Sequence, residues 1–306
     1  MKIYEFCPFY NENMMLKIKA AEARSWVDEI HIVESNRTFR YGDKPYQFKL
    51  EEFEKSEPHI VYHKLDGTTK FHGAKKWGVS KKFPFFRKKD IARANETIQR
   101  NMVHEVLCPD DDDIIILSDI DEILDSSRAD ELVRATQEFG LLSVRMHHTM
   151  FFLNLYSENW HELWANAPAD YAYRTFLMTG EIYKRLPWTS DRLRRLGEWG
   201  KHTGKIPLLD GFAGFHHSWL GDAEAVKSKL LSYSHSINEH GQHILNESGE
   251  ISIEGLKSLI ESKQSLFGGH DLSIRTTEEQ SLLPSIMSDL ERFRPLLLTS
   301  ANTADK

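Results

Sequence analysis

The stretch Asp113-Ile114-Ile115-Ile116-Leu117-Ser118-Asp119-Ile120-Asp121-Glu122 constrains the fold more than any other part of the chain. Four consecutive aliphatic residues, closed off by acids at both ends, are too few for a buried helix and too uniformly apolar for a strand with one wet face. Such a segment belongs in the middle of a mostly parallel sheet with helices on both faces. The acids that follow it then emerge at the strand's carboxyl end, the edge at which open α/β sheets gather their ligands.

The flanking sequence supplies the partners that such a strand needs. Residues 2–6, 29–35 and 59–65 are short and β-prone, whereas 11–26 and 86–107 carry apolar residues at helical spacing, with Asn11 placed to cap the first helix. Alternating strands and helices predict parallel pairing through crossovers. Beyond residue 140 two β-rich segments, "LLSVRMHHTMFFLNLY" and "DYAYRTFLM", precede a glycine-punctuated stretch over 196–219 that is expected to be a loop. From 222 the pattern is helical, and 299–306 should fray. The expected organisation is an α/β domain over 1–240 and a helical extension over 241–306.

With 306 residues, 40% of them hydrophobic, the chain can bury a sizeable core, and its net charge of -7 gives no general attraction to nucleic acid, which is not expected as a partner. Two cysteines, Cys7 and Cys108, can build neither a disulfide framework nor a zinc site. The first residues lack the apolar core of a signal peptide, so the expected location is cytoplasmic. Positive charge is concentrated locally. Between Lys64 and Lys89 nine Lys or Arg stand against one Asp, interleaved with Trp77, Phe83, Phe85 and Phe86. That combination suits an anionic acceptor or the surface of an anionic membrane, so 64–90 is the expected peripheral contact. Arg185, Arg192, Arg194 and Arg195 add a second basic cluster.

Asp119 and Asp121 would repel one another if unpaired, and a hard divalent cation, Mg²⁺ or Mn²⁺, removes that cost. Such ions take one or two carboxylates together with phosphate oxygens and water, which describes a metal-diphosphate site. The competing reading makes Asp119 or Asp121 the cap of a helix that begins near Ser126. Asp110–Asp113, ahead of the strand, are expected in a solvated loop at the opposite sheet edge. His216 and His217 follow "DGFAGF", whose small residues permit close backbone approach to a ligand. His147 and His148 are expected to be structural.

The order of these motifs resembles family 17 glycosyltransferases, the group that includes the bisecting N-acetylglucosaminyltransferase. "PFYNENMMLKIKAAEARSWVDEIHIVESNRTF", "ARANETIQRN", "DIIILSDIDEIL", "GFAGFHHSWLG" and "KLLSYSH" are similar to family segments in the same order, over about residues 1–240. Phe215 stands where the family usually has Trp. The resemblance implies a GT-A type fold and an inverting transfer from a nucleotide-sugar donor, usually uridine-linked N-acetylglucosamine, to a glycan or lipid-linked hydroxyl. It further implies Asp119, Asp121 and His216 as metal ligands for Mn²⁺ or Mg²⁺. Asn11, Glu12, Glu34, Arg93, Arg100, Asp119 and Lys229 would then contact the donor. Inversion needs a general base; Asp210 is the first candidate, with Glu122 and Glu198 behind it. Two rivals remain open: a haloacid-dehalogenase-like phosphatase with Asp119 as nucleophile, and a non-catalytic nucleotide-sugar or glycan-binding protein.

Overall fold

The computed structural model describes residues 1–53, 58–73, 88–157, 175–186, 193, 206–232, 244–245, 250–266, 271–275 and 282–298. Strands β1 (Ile3–Phe9), β2 (Glu29–Ser35), β3 (His59–Leu65) and β4 (Ile114–Leu117) form a parallel block in the order β3-β2-β1-β4. The expected central strand is therefore β4, with all four residues buried. Its side chains alternate between two cores: Ile114 and Ile116 join Ile30, Ile32, Leu16 and Ile18 on one face, while Ile115 and Leu117 join Phe6, Val33, Val103 and Phe176 on the other. Burying each aliphatic side chain contributes on the order of 2 kcal/mol, so placing this run at the sheet centre is strongly favoured over any exposed alternative.

The connections supply the covering helices. Helix α1 (Asn13–Ala23) joins β1 to β2, and short α2 (Gly67–Lys70), α3 (Lys88–Asn101) and α4 (Val103–Val106) lie between β3 and β4. Asn11 does not cap α1; Glu12 holds the N-cap position, and its carboxylate turns back to accept from the amides of Tyr10 and Asn11. The second half of the sheet is mixed. After β5 (Glu122–Leu124) and α5 (Ala129–Phe139) come β6 (Leu141–Met150), β7 (Leu155–Tyr156) and β8 (Phe176–Thr179), with β8 antiparallel to both β4 and β6.

Two expectations are corrected here. The glycine-rich stretch contains a long strand, β9 (Leu208–Ser218), parallel to β6 and antiparallel to β5. The glycines of β9 are not loop punctuation. Gly211 has φ +71° where the β6 pairing slips, and Gly214 lies so close to β5 that an added Cβ would stand 2.3 Å from the Ile123 carbonyl oxygen. The close approach thus serves a neighbouring strand. Nor is the acidic run before β4 wholly solvated: Asp110, Asp111 and Asp112 are exposed, but buried Asp113 accepts from the amides of Lys2 at 2.6 Å and Asp110 at 2.8 Å, tying the entry of β4 to the start of β1.

Helix α6 (Gly180–Arg185) follows β8, α7 (Ala223–Ser232) follows β9, and α8 (Ile253–Glu261) precedes the edge strand β10 (Ser273–Ile274), which pairs with β7. The expected boundary at 240 and the tail from 299 lie outside the described residues. The described residues beyond that boundary pack into the domain: Leu283, Ile286 and Phe293 join the α1 core, and Ser285 donates its amide to buried Glu22 at 2.9 Å. Gly214→Ala should destabilise the protein by about 2 kcal/mol or more, since the added methyl drives β9 into β5 backbone. Urea denaturation would show this as a lower midpoint, and an unchanged midpoint would mean that the two strands do not meet as described.

Candidate active site

The loop that carries Asp119 and Asp121 is held from beneath by a buried ion pair. Lys19 of α1, 1% exposed, donates to the carboxylate of Glu5 on β1, to the Ser118 hydroxyl at 2.9 Å and to the Glu122 carbonyl at 2.7 Å. The Ser118 hydroxyl in turn donates to Glu5 at 2.6 Å. Burial works against the Lys19 ammonium, but the adjacent Glu5 outweighs it and the group titrates above its ordinary range. Glu122, fully buried, accepts from the Asp119 amide at 2.9 Å and the Thr175 hydroxyl at 3.0 Å. It therefore shapes the loop from inside, and its burial removes it from the role of general base.

The cap reading of the acidic knot is resolved by Asp125. Its side chain accepts from the Ser127 amide at 2.8 Å and caps the helical turn at Ser126–Arg128. Asp119 and Asp121 are left to other work. Above the sheet edge, α3 presents Asn95 and, one turn on, the adjacent Gln99 and Arg100. Buried Asn95 accepts from the His72 amide at 2.6 Å and donates to the Phe39 carbonyl at 2.8 Å. Gln99 donates to the carbonyls of Phe9 and Val33, at the ends of β1 and β2. Arg100 meets Asp119 with two nitrogens, the shorter contact 3.0 Å, and Glu96 at 2.9 Å. Arg93, half-buried, lies two turns earlier on the same helix.

Asp121, 8% exposed, faces two cationic or imidazole groups. The Lys229 ammonium of α7 stands 3.0 Å from Oδ2, and His216 Nε2 of β9 stands 3.7 Å from Oδ1. Burial pushes this carboxyl up, but Lys229 and then His216 pull harder, leaving it below the usual aspartate range. The strand pairing explains the meeting of residues so far apart in sequence: Glu122 lies opposite His216, His216 opposite His148, and the His217 amide donates to the Asp121 carbonyl at 2.8 Å. His148 and Ser218 share a hydrogen bond of 2.9 Å, and His217 bonds Thr149 at 2.7 Å. His217 is driven down to about 3, by burial first, so it is a neutral packing residue. After Ser218 the chain enters the left-handed region at Trp219, φ 57°, a conformation that costs a non-glycine residue on the order of 1 kcal/mol. The turn places the Trp219 ring 5.4 Å from the Lys229 ammonium.

The structure thus brings together Arg100, Asp119, Asp121, His216 and Lys229. Other expected site residues fall elsewhere. Asp210 is exposed on β9, six residues from His216; at about 3.3 Å per residue that is roughly 20 Å away, at the opposite sheet edge, which is too far for a base acting beside Asp121. Glu34 is fully buried, and its carboxylate accepts from Lys44, the Gln47 amide at 2.6 Å, the Phe48 amide at 3.1 Å and the Tyr62 hydroxyl at 2.8 Å, so it anchors a loop. Asn11 is exposed at the end of β1, with Glu12 folded back behind it. Glu198 lies outside the described residues, as do Arg192, Arg194 and Arg195 of the second basic cluster and most of the basic stretch. Of the latter, Lys64 sits over the Tyr46 ring and Lys70 pairs with Glu105. Among the described residues no three of His, Cys, Asp or Glu gather as a metal cluster, and Asp119 is turned to Arg100. No described helix is long and apolar enough to cross a membrane.

The family model of glycosyltransferase family 17 matches residues 1–189. No curated protein matches the chain. Among solved structures, the chain is similar to S. aureus TarS 1-349 in complex with UDP-GlcNAc, at 10% identity over 77% of this chain and 68% of that one, with TM-score 0.40. It is also similar to the galactosyltransferase LgtC in complex with donor and acceptor sugar analogs, at 9% identity over 67% and 72%, TM-score 0.34. A third likeness is the 4-diphosphocytidyl-2C-methyl-D-erythritol synthase of Anaerococcus prevotii, at 10% identity over 74% and 94%, TM-score 0.35. Likenesses this distant carry no argument about chemistry.

Lys19→Met strands the Glu5 carboxylate in the core and should cost about 3–5 kcal/mol, whereas adding Glu5→Leu should recover most of that loss. Chemical denaturation of the two variants beside wild type checks it. Equal stability of the single and double variants would mean that the pair does not hold the loop.

Proposed function

Because the chain belongs to glycosyltransferase family 17, we propose that it is a metal-dependent inverting enzyme acting on a nucleotide-linked sugar. The sugar is N-acetylglucosamine or a related hexose, the carrier uridine diphosphate, and the acceptor a glycan or lipid-linked hydroxyl. The observation that carries this reading is Asp121: a buried carboxylate at the carboxyl end of the central strand, facing His216 and Lys229 across a few ångströms. A buried acid surrounded by positive or ligating groups, with Arg100 held on nearby Asp119, is suited to the charge of a diphosphate.

The donor set fits a divalent cation. Asp121 and His216 would hold it, one hard oxygen and one borderline nitrogen, with diphosphate oxygens and water filling the remaining positions; the imidazole favours Mn²⁺ over Mg²⁺. When bound, the ion would supply charge neutralisation to the departing diphosphate. The protein's own groups act around it. Arg100 fixes the rotamer of Asp119 through two nitrogens, and the Glu122 carboxylate fixes the Asp119 amide. The phosphatase alternative is disfavoured by the same contact: a nucleophilic Asp119 would have to leave a two-point Arg100 pair. It is also disfavoured by chain order, since β4 is fourth in sequence where that class expects the first strand. The location remains proposed as cytoplasmic, with residues 64–90 as the peripheral contact.

Incubation with UDP-N-acetylglucosamine and Mn²⁺ should release UDP slowly without acceptor, and chelation should stop the release. A non-catalytic binder would release none. Asp121→Asn should lower the rate about 100-fold or more, while Asp111→Asn at the far sheet edge should leave it unchanged. Normal, metal-dependent turnover by Asp121→Asn would overturn the assignment.

A further inference from the structure

The position of Lys229 has a consequence for the order in which ligands enter. Its ammonium lies 3.0 Å from Asp121 Oδ2, on the carboxylate that a divalent cation would need, and 5.4 Å from the centre of the Trp219 ring. The side chain is half-buried, and Asp121 is almost wholly so. An ion pair in this setting is less screened than one on the surface. A divalent ion arriving alone would have to share Asp121 with a fixed positive charge or displace it, and among the described residues the neighbouring acid, Asp119, is already matched by Arg100.

We propose that Lys229 is the resident counter-cation of Asp121, holding the carboxylate until metal and diphosphate enter together, when the ammonium passes from Asp121 to a phosphate oxygen. The inference rests on the function proposed above and deepens it. A diphosphate removes the conflict in both directions, because it brings negative charge to the metal and a new partner to Lys229. Metal and nucleotide diphosphate therefore bind with positive coupling, and by linkage each raises the affinity of the other by the same factor. The protein without nucleotide is kept from loading Mn²⁺ on its own. The αL turn at Trp219 holds the aromatic ring 5.4 Å from the ammonium, a neighbour that favours the positive charge while it passes between two acceptors.

The test is Mn²⁺ binding to the full chain, followed by electron paramagnetic resonance of the free ion, with and without UDP. In wild type, UDP should tighten Mn²⁺ binding by roughly tenfold or more. Lys229→Met keeps an unbranched chain of similar length and removes the charge. It should bind Mn²⁺ alone about tenfold more tightly than wild type, while the gain from adding UDP collapses. Equal Mn²⁺ affinity of wild type and Lys229→Met without UDP overturns the counter-cation role while leaving the metal site standing. Absence of Mn²⁺ binding in both proteins, with and without UDP, overturns the metal reading of the site and the inference together. The wild-type coupling between Mn²⁺ and UDP needs no variant at all, and its absence is by itself sufficient to sink the proposal.

Discussion

The buried pair of Lys19 and Glu5 is the constraint on which the site depends. A lone ammonium or carboxylate at this depth would be prohibitive, and the pair is tolerable only because Ser118 and the Glu122 carbonyl complete the coordination of the ammonium. Those two groups belong to the loop after β4. Satisfying the charges of α1 and β1 therefore fixes where the loop runs, and with it the directions of Asp119 and Asp121. Folding energetics and site geometry meet in one ammonium group.

The remaining framework is laid on that loop by a second principle, the use of polar residues on a covering helix to satisfy strand ends. Asn95, Gln99 and Arg100 of α3 each reach a different loop at the carboxyl edge: the one after β2, the ends of β1 and β2, and the one after β4. One rigid helix thus sets three loops in register with one another. From the other side, β9 brings His216 opposite Glu122, and α7 brings Lys229 over Asp121. A site for a highly charged ligand is built from elements that are each already committed to the core, so it is ordered before the ligand arrives.

Several site residues could be read in the chain because their type and place agreed. Asp119 and Asp121 follow an aliphatic strand, and His216 follows a small-residue run. Others misled for identifiable reasons. Glu34 ends β2 and Glu122 follows the acidic motif, but a carboxylate at a strand end can point up to a ligand or down to backbone amides, and sequence spacing does not distinguish the two. Asp210 precedes the glycines that suggested a catalytic loop; those glycines instead accommodate the crossing of β9 on β5, so the segment is extended and Asp210 is carried to the wrong edge. Lys19 and Glu22 lay in a helix where charged residues are ordinarily taken to mark the wet face. Both are buried, and their partners are 99 or more residues away for Ser118 and the Glu122 carbonyl, and likewise for the Ser126 and Ser285 amides.

What the amino-acid sequence determined by itself was local: strands β1 to β4 and their helices, the burial of Ile114–Leu117 on both faces, and the emergence of two aspartates at the ligand edge. Hydrophobic periodicity and abrupt changes of polarity are short-range signals, and they suffice for that much. Tertiary structure alone decided which cations the aspartates meet. Arg100, His216 and Lys229 reach the knot from three elements, one before it and two almost 100 residues or more after it, through strand register and helix packing that no local pattern encodes. The sign of a carboxylate's surroundings is a property of the folded space around it, and that space exists only once the sheet has closed.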